Sequence, residues 1–375
     1  MMKAIGLAVS TVLSAGLPMA ASAQVAIADC PNARMPYTSA SPLIDIRNEP
    51  AAMAVIEREA PAAGQVARAI PAGLNAIMSV KMALRMASQA QNDGRALDAA
   101  LAKVPVSAEA MAKRCARYDN DRPALPKMIK RPAILVFDKI NGFRDVPSVN
   151  AATQALKDMA ARRGWSIQFS DKGGAINGRD LARFDAVVWN NVSGDVLTLS
   201  QRKALRDYVT NGGGFAAMHG SAGDPVYYWD WYADTLIGAH FMGHSYQPQF
   251  QTARVVVAEP RSSITQKLPT EWSMNEEWYS FARSPRETGA HVLATLDESS
   301  YSPVGFGGNS IRMGKDHPIA WTRCVGNGRS FYSAIGHRPE SYKEPNSDRL
   351  LEQGIAWAIG KGDTRCVGGK EVIRK

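Results

Sequence analysis

The residues most able to do chemistry gather in the second half of the chain. His219 opens the run His219-Gly220-Ser221-Ala222-Gly223, and Asp224 follows it. Next comes Tyr227-Tyr228-Trp229-Asp230-Trp231-Tyr232, where five of six residues are aromatic. His240 and His244, Glu276-Glu277-Trp278-Tyr279, Asp316-His317 and Gly336-His337 complete the set. An imidazole titrates at about pH 6.5, so it can move a proton near neutrality or bind a metal through a ring nitrogen. His219 and His244 are therefore candidates for an acid–base pair or for metal ligands, with Asp224 and Glu277 to orient them. Trp229, Trp231 and Trp278 offer flat faces of the kind that stack on the C–H faces of sugars. Tyr232, Tyr279 and His337 are further candidates for substrate contact.

Each piece also has a plainer reading. A lone histidine is more often a hydrogen-bonded core residue, but the glycines after His219 and its place at a strand end argue for function. The aromatic run can be a packed lid. His240 and His244 are four apart, yet Phe241-Met242-Gly243 lacks the glutamate of a zinc protease. Ser221 has His219 two residues before it, where a nucleophile elbow has glycine.

These residues need elements to hold them. Residues 133–137 form a continuous apolar run, as a strand buried on both faces requires. The pattern predicts a helix over 149–163, a strand over 166–170 and a strand over 184–189. Ser200 is expected to cap a helix that closes at Asn211 and Gly212. A fourth strand, 214–219, delivers His219 to its carboxyl end. Strands over 252–258, 291–296, 319–324 and 330–335 and a helix over 347–359 follow. Strand–helix alternation implies right-handed crossovers and a doubly wound sheet, which binds ligands beyond the carboxyl ends of its strands. All histidines but His291 fall at such ends or in loops.

The first third of the chain differs. Residues 1–23 carry one charge, Lys3, then an apolar stretch and Ala21-Ser22-Ala23, the pattern of a cleaved export signal. The mature chain is expected to start at Gln24 and to reach the periplasm or the exterior. Residues 24–130 form a helical region and linker. Asn48 and Pro50 look like a helix start, and Met78, Met82 and Met86 fall on one helical stripe with Leu74 and Ile77. A helix near Ser107 carries Cys115. Pro123, Pro126 and Pro132 mark the linker. The four cysteines in an exported chain read as two disulfides. Three pairings exist, and Cys30 with Cys115 and Cys324 with Cys366 is the simplest.

Composition narrows the classes. The chain has 375 residues, 45% hydrophobic and 21% charged, which excludes global disorder. Its net charge of +9 is spread without the basic block of a nucleic-acid arm, so no nucleic-acid partner is expected. Beyond the N-terminus no apolar run reaches the roughly 20 residues of a membrane span.

From about residue 131 to 362 the chain resembles the ThuA-like (trehalose-utilisation) family. The resemblance rests on Ile134-Leu135-Val136-Phe137 with Asn141-Gly142-Phe143-Arg144, and on Phe184-Asp185-Ala186-Val187-Val188-Trp189 with Gly194-Asp195-Val196-Leu197. It continues through Gly212 to His219, Trp229 to Gly238, Asn275 to Tyr279, His291 to Asp297, Asp316 to Trp321, Gly328 to Tyr332 and Gly336-His337. It implies an α/β, flavodoxin-like, doubly wound and mostly parallel sheet like that of class I glutamine amidotransferases, here with a small N-terminal all-α appendage and a tail over 363–375. In those amidotransferases a cysteine occupies the turn at His219 to Ser221. This chain has no cysteine between Cys115 and Cys324, which excludes glutaminase chemistry. The family link implies an enzyme on carbohydrates or keto-sugar derivatives of disaccharides such as trehalose, or a sugar-binding protein that has lost catalysis. Family members carry histidine after the Asn-Gly-Phe-Arg motif. Here that place is Asp145, which adds a carboxylate to the candidate catalytic set. A small-molecule carbohydrate is the expected partner. The sequence leaves the cofactor unassigned, with a divalent metal and an oligomer both open.

Overall fold

A computed structural model describes residues 25–87, 95–224, 229–362 and 364–373. The expected export signal, 1–23, lies outside the described residues. Among the described residues six α-helices occupy the N-terminal region: α1 (Leu43–Arg47), α2 (Pro50–Glu59), α3 (Pro61–Ala69), α4 (Val80–Met86), α5 (Arg95–Leu101) and α6 (Ala108–Cys115). Helices α1–α5 enclose a core that includes Leu43, Ile46, Ile56, Val80, Ala83 and Leu101, while Cys115 of α6 packs in a separate cluster with Cys30, Ala33 and Tyr118. α6 starts just after Ser107, as expected, and Ser107 caps it by accepting from the Ala110 amide. Two local details differ. Ser79 caps α4 through the Met82 amide, so Leu74 and Ile77 belong to the preceding turn and the helix phase is set anew. Val80, Ala83 and Leu84 are then buried while Met86 is exposed. Asn48 ends α1, and Glu49 precedes Pro50 at the start of α2.

The second region holds β1 (Ala133–Phe137), α7 (Val146–Arg163), β2 (Ser166–Ser170), α8 (Gly178–Leu181), β3 (Ala186–Asn190), α9 (Leu199–Thr210) and β4 (Gly214–Met218). Then come β5 (Phe241–His244), β6 (Phe250–Val257), β7 (Glu271–Glu277), β8 (Tyr279–Phe281), β9 (His291–Asp297), β10 (Pro318–Val325), β11 (Gly328–Ser333), α10 (Pro345–Ala358), β12 (Thr364–Val367) and β13 (Lys370–Ile373). Thr198, not Ser200, caps α9, because its hydroxyl and the Gln201 side chain form a reciprocal capping box.

Among the described residues nine strands form one sheet in the order β2-β1-β3-β4-β11-β10-β9-β6-β7. The first five are parallel, in the flavodoxin-like order, and fully buried β1, β3 and β4 form its centre. Beyond β11 the pairings are antiparallel. The register slips between β10 and β9 around Pro318 to Trp321, the kind of irregularity that bends a sheet. β5 and β8 pair separately, and β12 pairs with β13.

The helical region is anchored on the loops after β1 and β3. Asp195 accepts from Tyr118 Oη (2.7 Å), Asn32 Nδ2 (2.8 Å) and the Arg202 guanidinium. Lys139 pairs with Asp119, and Asn141 Nδ2 donates to the Arg117 carbonyl at 2.8 Å. Among the described residues no helix is long and apolar enough to cross a membrane.

Two disulfides, Cys30–Cys115 and Cys324–Cys366, join residues 85 and 42 positions apart. Each should stabilise the protein by about 2–4 kcal/mol, by restricting the unfolded chain. We expect reduction to lower the melting temperature, and non-reducing peptide mapping to recover both linked pairs. Four free thiols in protein folded under oxidising conditions would contradict this.

Candidate functional site

β4 is buried along its whole length and ends at Met218, which puts His219 beyond the carboxyl edge of the parallel sheet. His219 has φ +36°, a region that non-glycine residues seldom enter and that is often held in place at functional sites. Its Nδ1 lies 2.8 Å from the Ala334 carbonyl, just past β11. A carbonyl only accepts, so Nδ1 carries the hydrogen and Nε2 faces the other way. There Nε2 lies 3.3 Å from Glu277 Oε2 and 3.2 Å from His337 Nδ1.

Glu277 ends β7, and neighbouring Glu276 serves the opposite side of the strand. Glu277 Oε2 is 3.0 Å from His337 Nδ1, and Oε1 is 3.2 Å from His244 Nδ1 and accepts from Gln249 Nε2. His337 Nε2 lies 3.6 Å from Asp145 Oδ2, at the start of α7. Three imidazoles thus surround one buried carboxylate, with a second carboxylate behind His337. One ligand atom from each of His219, Glu277 and His337 fits within a 4.8 Å cluster.

Glu276 holds the loop that carries His337. It is fully buried and accepts from the amides of Gly336 (3.1 Å), Arg338 (3.3 Å) and Glu277 (2.7 Å) and from Ser341 Oγ. Gly336 has φ +142°, and a Cβ there would sit 2.4 Å from the Tyr342 hydroxyl. Only glycine lets the chain pass this closely.

The charges follow from this packing. Burial opposes ionisation of Glu277, but the bonds to His219 and His337 and the nearby His244 outweigh it and hold its carboxyl well below the usual range. Burial likewise opposes a charge on His337, yet Glu277 and Asp145 raise its pKa above that of a free imidazole. Burial pushes the Glu276 carboxyl up, against its hydrogen bonds and the two histidines.

Asp224 lies elsewhere, accepting from Ser193 Oγ (2.7 Å) and the Gly194 amide (2.5 Å). Burial pushes it up to about 6, with those two bonds opposing. A raised carboxyl stabilises the fold below the unfolded value near 3.8, and that increment is lost as pH rises through about 6. The increment is at most about 3 kcal/mol, trimmed by the partial solvent access of Asp224. Asp224→Asn should therefore flatten the fall in melting temperature between about pH 4 and 6, the interval between the unfolded and the shifted value. Parallel thermal profiles for variant and wild type would rule Asp224 out as the titrating group.

The remaining candidates are placed as follows. Tyr279 packs on the His219 ring at 4.1 Å between centroids. Trp278 is buried and donates from Nε1 to the Gln251 carbonyl at 2.8 Å. Tyr232 stacks on Trp189 at 4.7 Å, and Trp229 stacks near Trp231 at 5.0 Å. Trp229, Tyr232 and Asp224 border a cavity of about 50 Å³, against the roughly 300–1,000 Å³ of a pocket for a drug-sized ligand. Tyr227 and Tyr228 lie outside the described residues. Ser221 Oγ is engaged with the Trp189 carbonyl and the Val192 amide. His240 pairs with Asp234 at 2.6 Å, and His317 is buried between Glu298 and the Tyr279 carbonyl.

Sequence reasoning missed the aromatic rim beside the cluster. Phe250 meets the His337 ring edge-on at 5.2 Å, and Tyr246 joins His244 (6.2 Å) to Phe306 (5.2 Å). Phe250 and Phe306 are exposed. It named Glu276 without giving it a role, and it missed Gln249 and Asn191, whose Oδ1 accepts from the Gly220 amide at 3.1 Å. The polar pair Asn190-Asn191 at a strand end was the available signal for the last of these.

A flavodoxin-like sheet with a histidine–carboxylate cluster at its carboxyl edge defines the class. The trehalose-utilisation (ThuA) family profile matches residues 133–358, more than half of the chain, and the protein belongs to that family. Among solved structures, a ThuA-like protein from Bacteroides uniformis is 23% identical, with a TM-score of 0.54, covering 64% of this chain and 97% of that one. A ThuA-like protein from Parabacteroides merdae is 18% identical, with a TM-score of 0.48 and coverage of 65% and 98%. At these identities the first likeness speaks for the fold. No curated protein matches the chain in sequence.

Proposed function

We propose that this protein is an exported enzyme acting on carbohydrates or keto-sugar derivatives of disaccharides, with its reaction centre at His219, Glu277, His337 and His244. The observation that carries this reading is the convergence of three imidazoles on one buried carboxylate at the carboxyl edge of the sheet. His219 and Glu277 are buried, whereas His244 is about a third exposed. His244 is therefore the group best able to exchange a proton with substrate and solvent, and its imidazole suits proton transfer beside a ketone or a glycosidic oxygen. Phe250, Tyr246 and Phe306 offer sugar-stacking faces next to the cluster. Membership of the trehalose-utilisation family supports the substrate class, and two disulfides suit an oxidising compartment.

The test is a screen of keto-disaccharides and their parent sugars with the mature protein, products being followed by NMR. Turnover of keto-sugars supports the reading. Tight sugar binding without turnover would instead make this a sugar-binding protein.

A further inference from the structure

We propose that His219 Nε2, His337 Nδ1 and Glu277 Oε2 bind a divalent first-row transition-metal ion. The inference rests on reading this cluster as the reaction centre, but not on the identity of the substrate.

The hydrogen positions carry the first part of the argument. His219 Nδ1 is committed to the Ala334 carbonyl, which leaves a lone pair on Nε2. His337 Nε2 faces the Asp145 carboxylate, which favours a hydrogen there and a lone pair on Nδ1. Glu277 Oε1 is occupied by Gln249 and His244, so Oε2 is the oxygen left for the cluster. Three lone-pair atoms thus face one another. With both imidazoles neutral no hydrogen lies between the three atoms, and a cation then takes the place of the proton that otherwise bonds His337 to Glu277.

The distances carry the second part. The three atoms are separated by 3.0, 3.2 and 3.3 Å. Ligands bonded to one ion at about 2.0–2.2 Å stand roughly 3.0–3.4 Å apart, over the range from octahedral to tetrahedral angles. The triangle therefore accepts an ion without rearrangement. Each ligand is also held from behind, by Ala334, Asp145 or Gln249, as outer-sphere partners hold metal-binding histidines and carboxylates.

The donor set selects the ion. Two imidazoles with one carboxylate suit zinc or iron(II), whereas magnesium and calcium prefer all-oxygen sites. Three protein ligands leave positions open for water or a substrate oxygen. His337 and His244, the least buried members, mark that open side.

The experiment uses mature protein stripped with a chelator and titrated with Zn(II) by calorimetry, with Co(II) absorption reporting coordination. We expect about one ion per chain and a melting temperature that rises with free zinc, by linkage. Glu277→Gln should weaken zinc binding about 100-fold or more, and Asp145→Asn, acting through His337, about 10–100-fold. Should Glu277→Gln fail to fold, His337→Ala serves in its place. Stripped protein that takes up no zinc, or variants that bind it as tightly as wild type, would overturn the proposal. Stoichiometric zinc with a silent sugar screen keeps the metal site and removes the substrate reading. Full keto-sugar turnover by protein that takes up no zinc does the reverse.

Discussion

The His219→Asn variant should turn over the keto-sugar found by the screen about 100-fold or more slowly, the scale for losing a group that moves a proton or holds the reacting centre. Its melting temperature should fall by only a few degrees. Asparagine suits this position for two reasons. It tolerates the positive φ of residue 219 better than most residues do. Its amide nitrogen also occupies nearly the place of an imidazole Nδ1, so the bond to the Ala334 carbonyl can persist. What disappears is Nε2, the atom 3.3 Å from Glu277 and 3.2 Å from His337. The substitution therefore separates the cluster from the scaffold. Activity and thermal unfolding should be measured on one preparation. A large drop in melting temperature with unaltered turnover would make His219 a structural residue and move the weight to His244 and His337.

Glu276→Ala should be the most damaging single change to stability near the site, costing about 3–5 kcal/mol, the scale for removing one partner from a buried charged network. The carboxylate is fully buried and serves three backbone amides and the Ser341 hydroxyl. Alanine leaves all of these donors without a partner and opens a cavity. Glu276→Gln keeps one accepting oxygen and should cost less. Because the same carboxylate holds Gly336 and Arg338, either variant should also shift His337 and reduce activity in the protein that stays folded. Chemical denaturation of wild type and both variants decides the matter. An unchanged midpoint for Glu276→Ala would mean that the loop over 336–341 is held by something else.

Much of the fold was legible because its signals are local. Short apolar runs such as 133–137 and 214–218, bounded by turn residues, read as strands buried on both faces, and alternation with helices makes them parallel. An even cysteine count with one pair per region was enough for Cys30–Cys115 and Cys324–Cys366. Family motifs located the rest of the second region. Where a neighbouring residue decided the outcome, local reading slipped: Thr198 took the cap of α9 from Ser200, and Ser79 reset the phase of α4.

The sequence by itself determined the types of the reacting groups and put His219 and His337 beyond strands β4 and β11, neighbours in the sheet. It nominated Glu277 as a partner of the histidines by residue type, but nothing in it fixed that contact. Glu277 ends β7, five strands from β4, a separation of about 24 Å in a flat sheet. Their contact at 3.3 Å requires the antiparallel half to curl back over the parallel half. That curl belongs to strand pairing, to the slipped register between β9 and β10 and to the packing of β5 on β8, none of which leaves a periodic mark in the chain. The same long-range packing decided that His244, not His240, would meet the carboxylate, and that Trp278 would be buried while Phe250 stayed at the surface beside His337. Residue type and strand ends are local properties of a sequence. Which of those ends meet is set by burial summed over the whole sheet, and only the tertiary structure performs that sum.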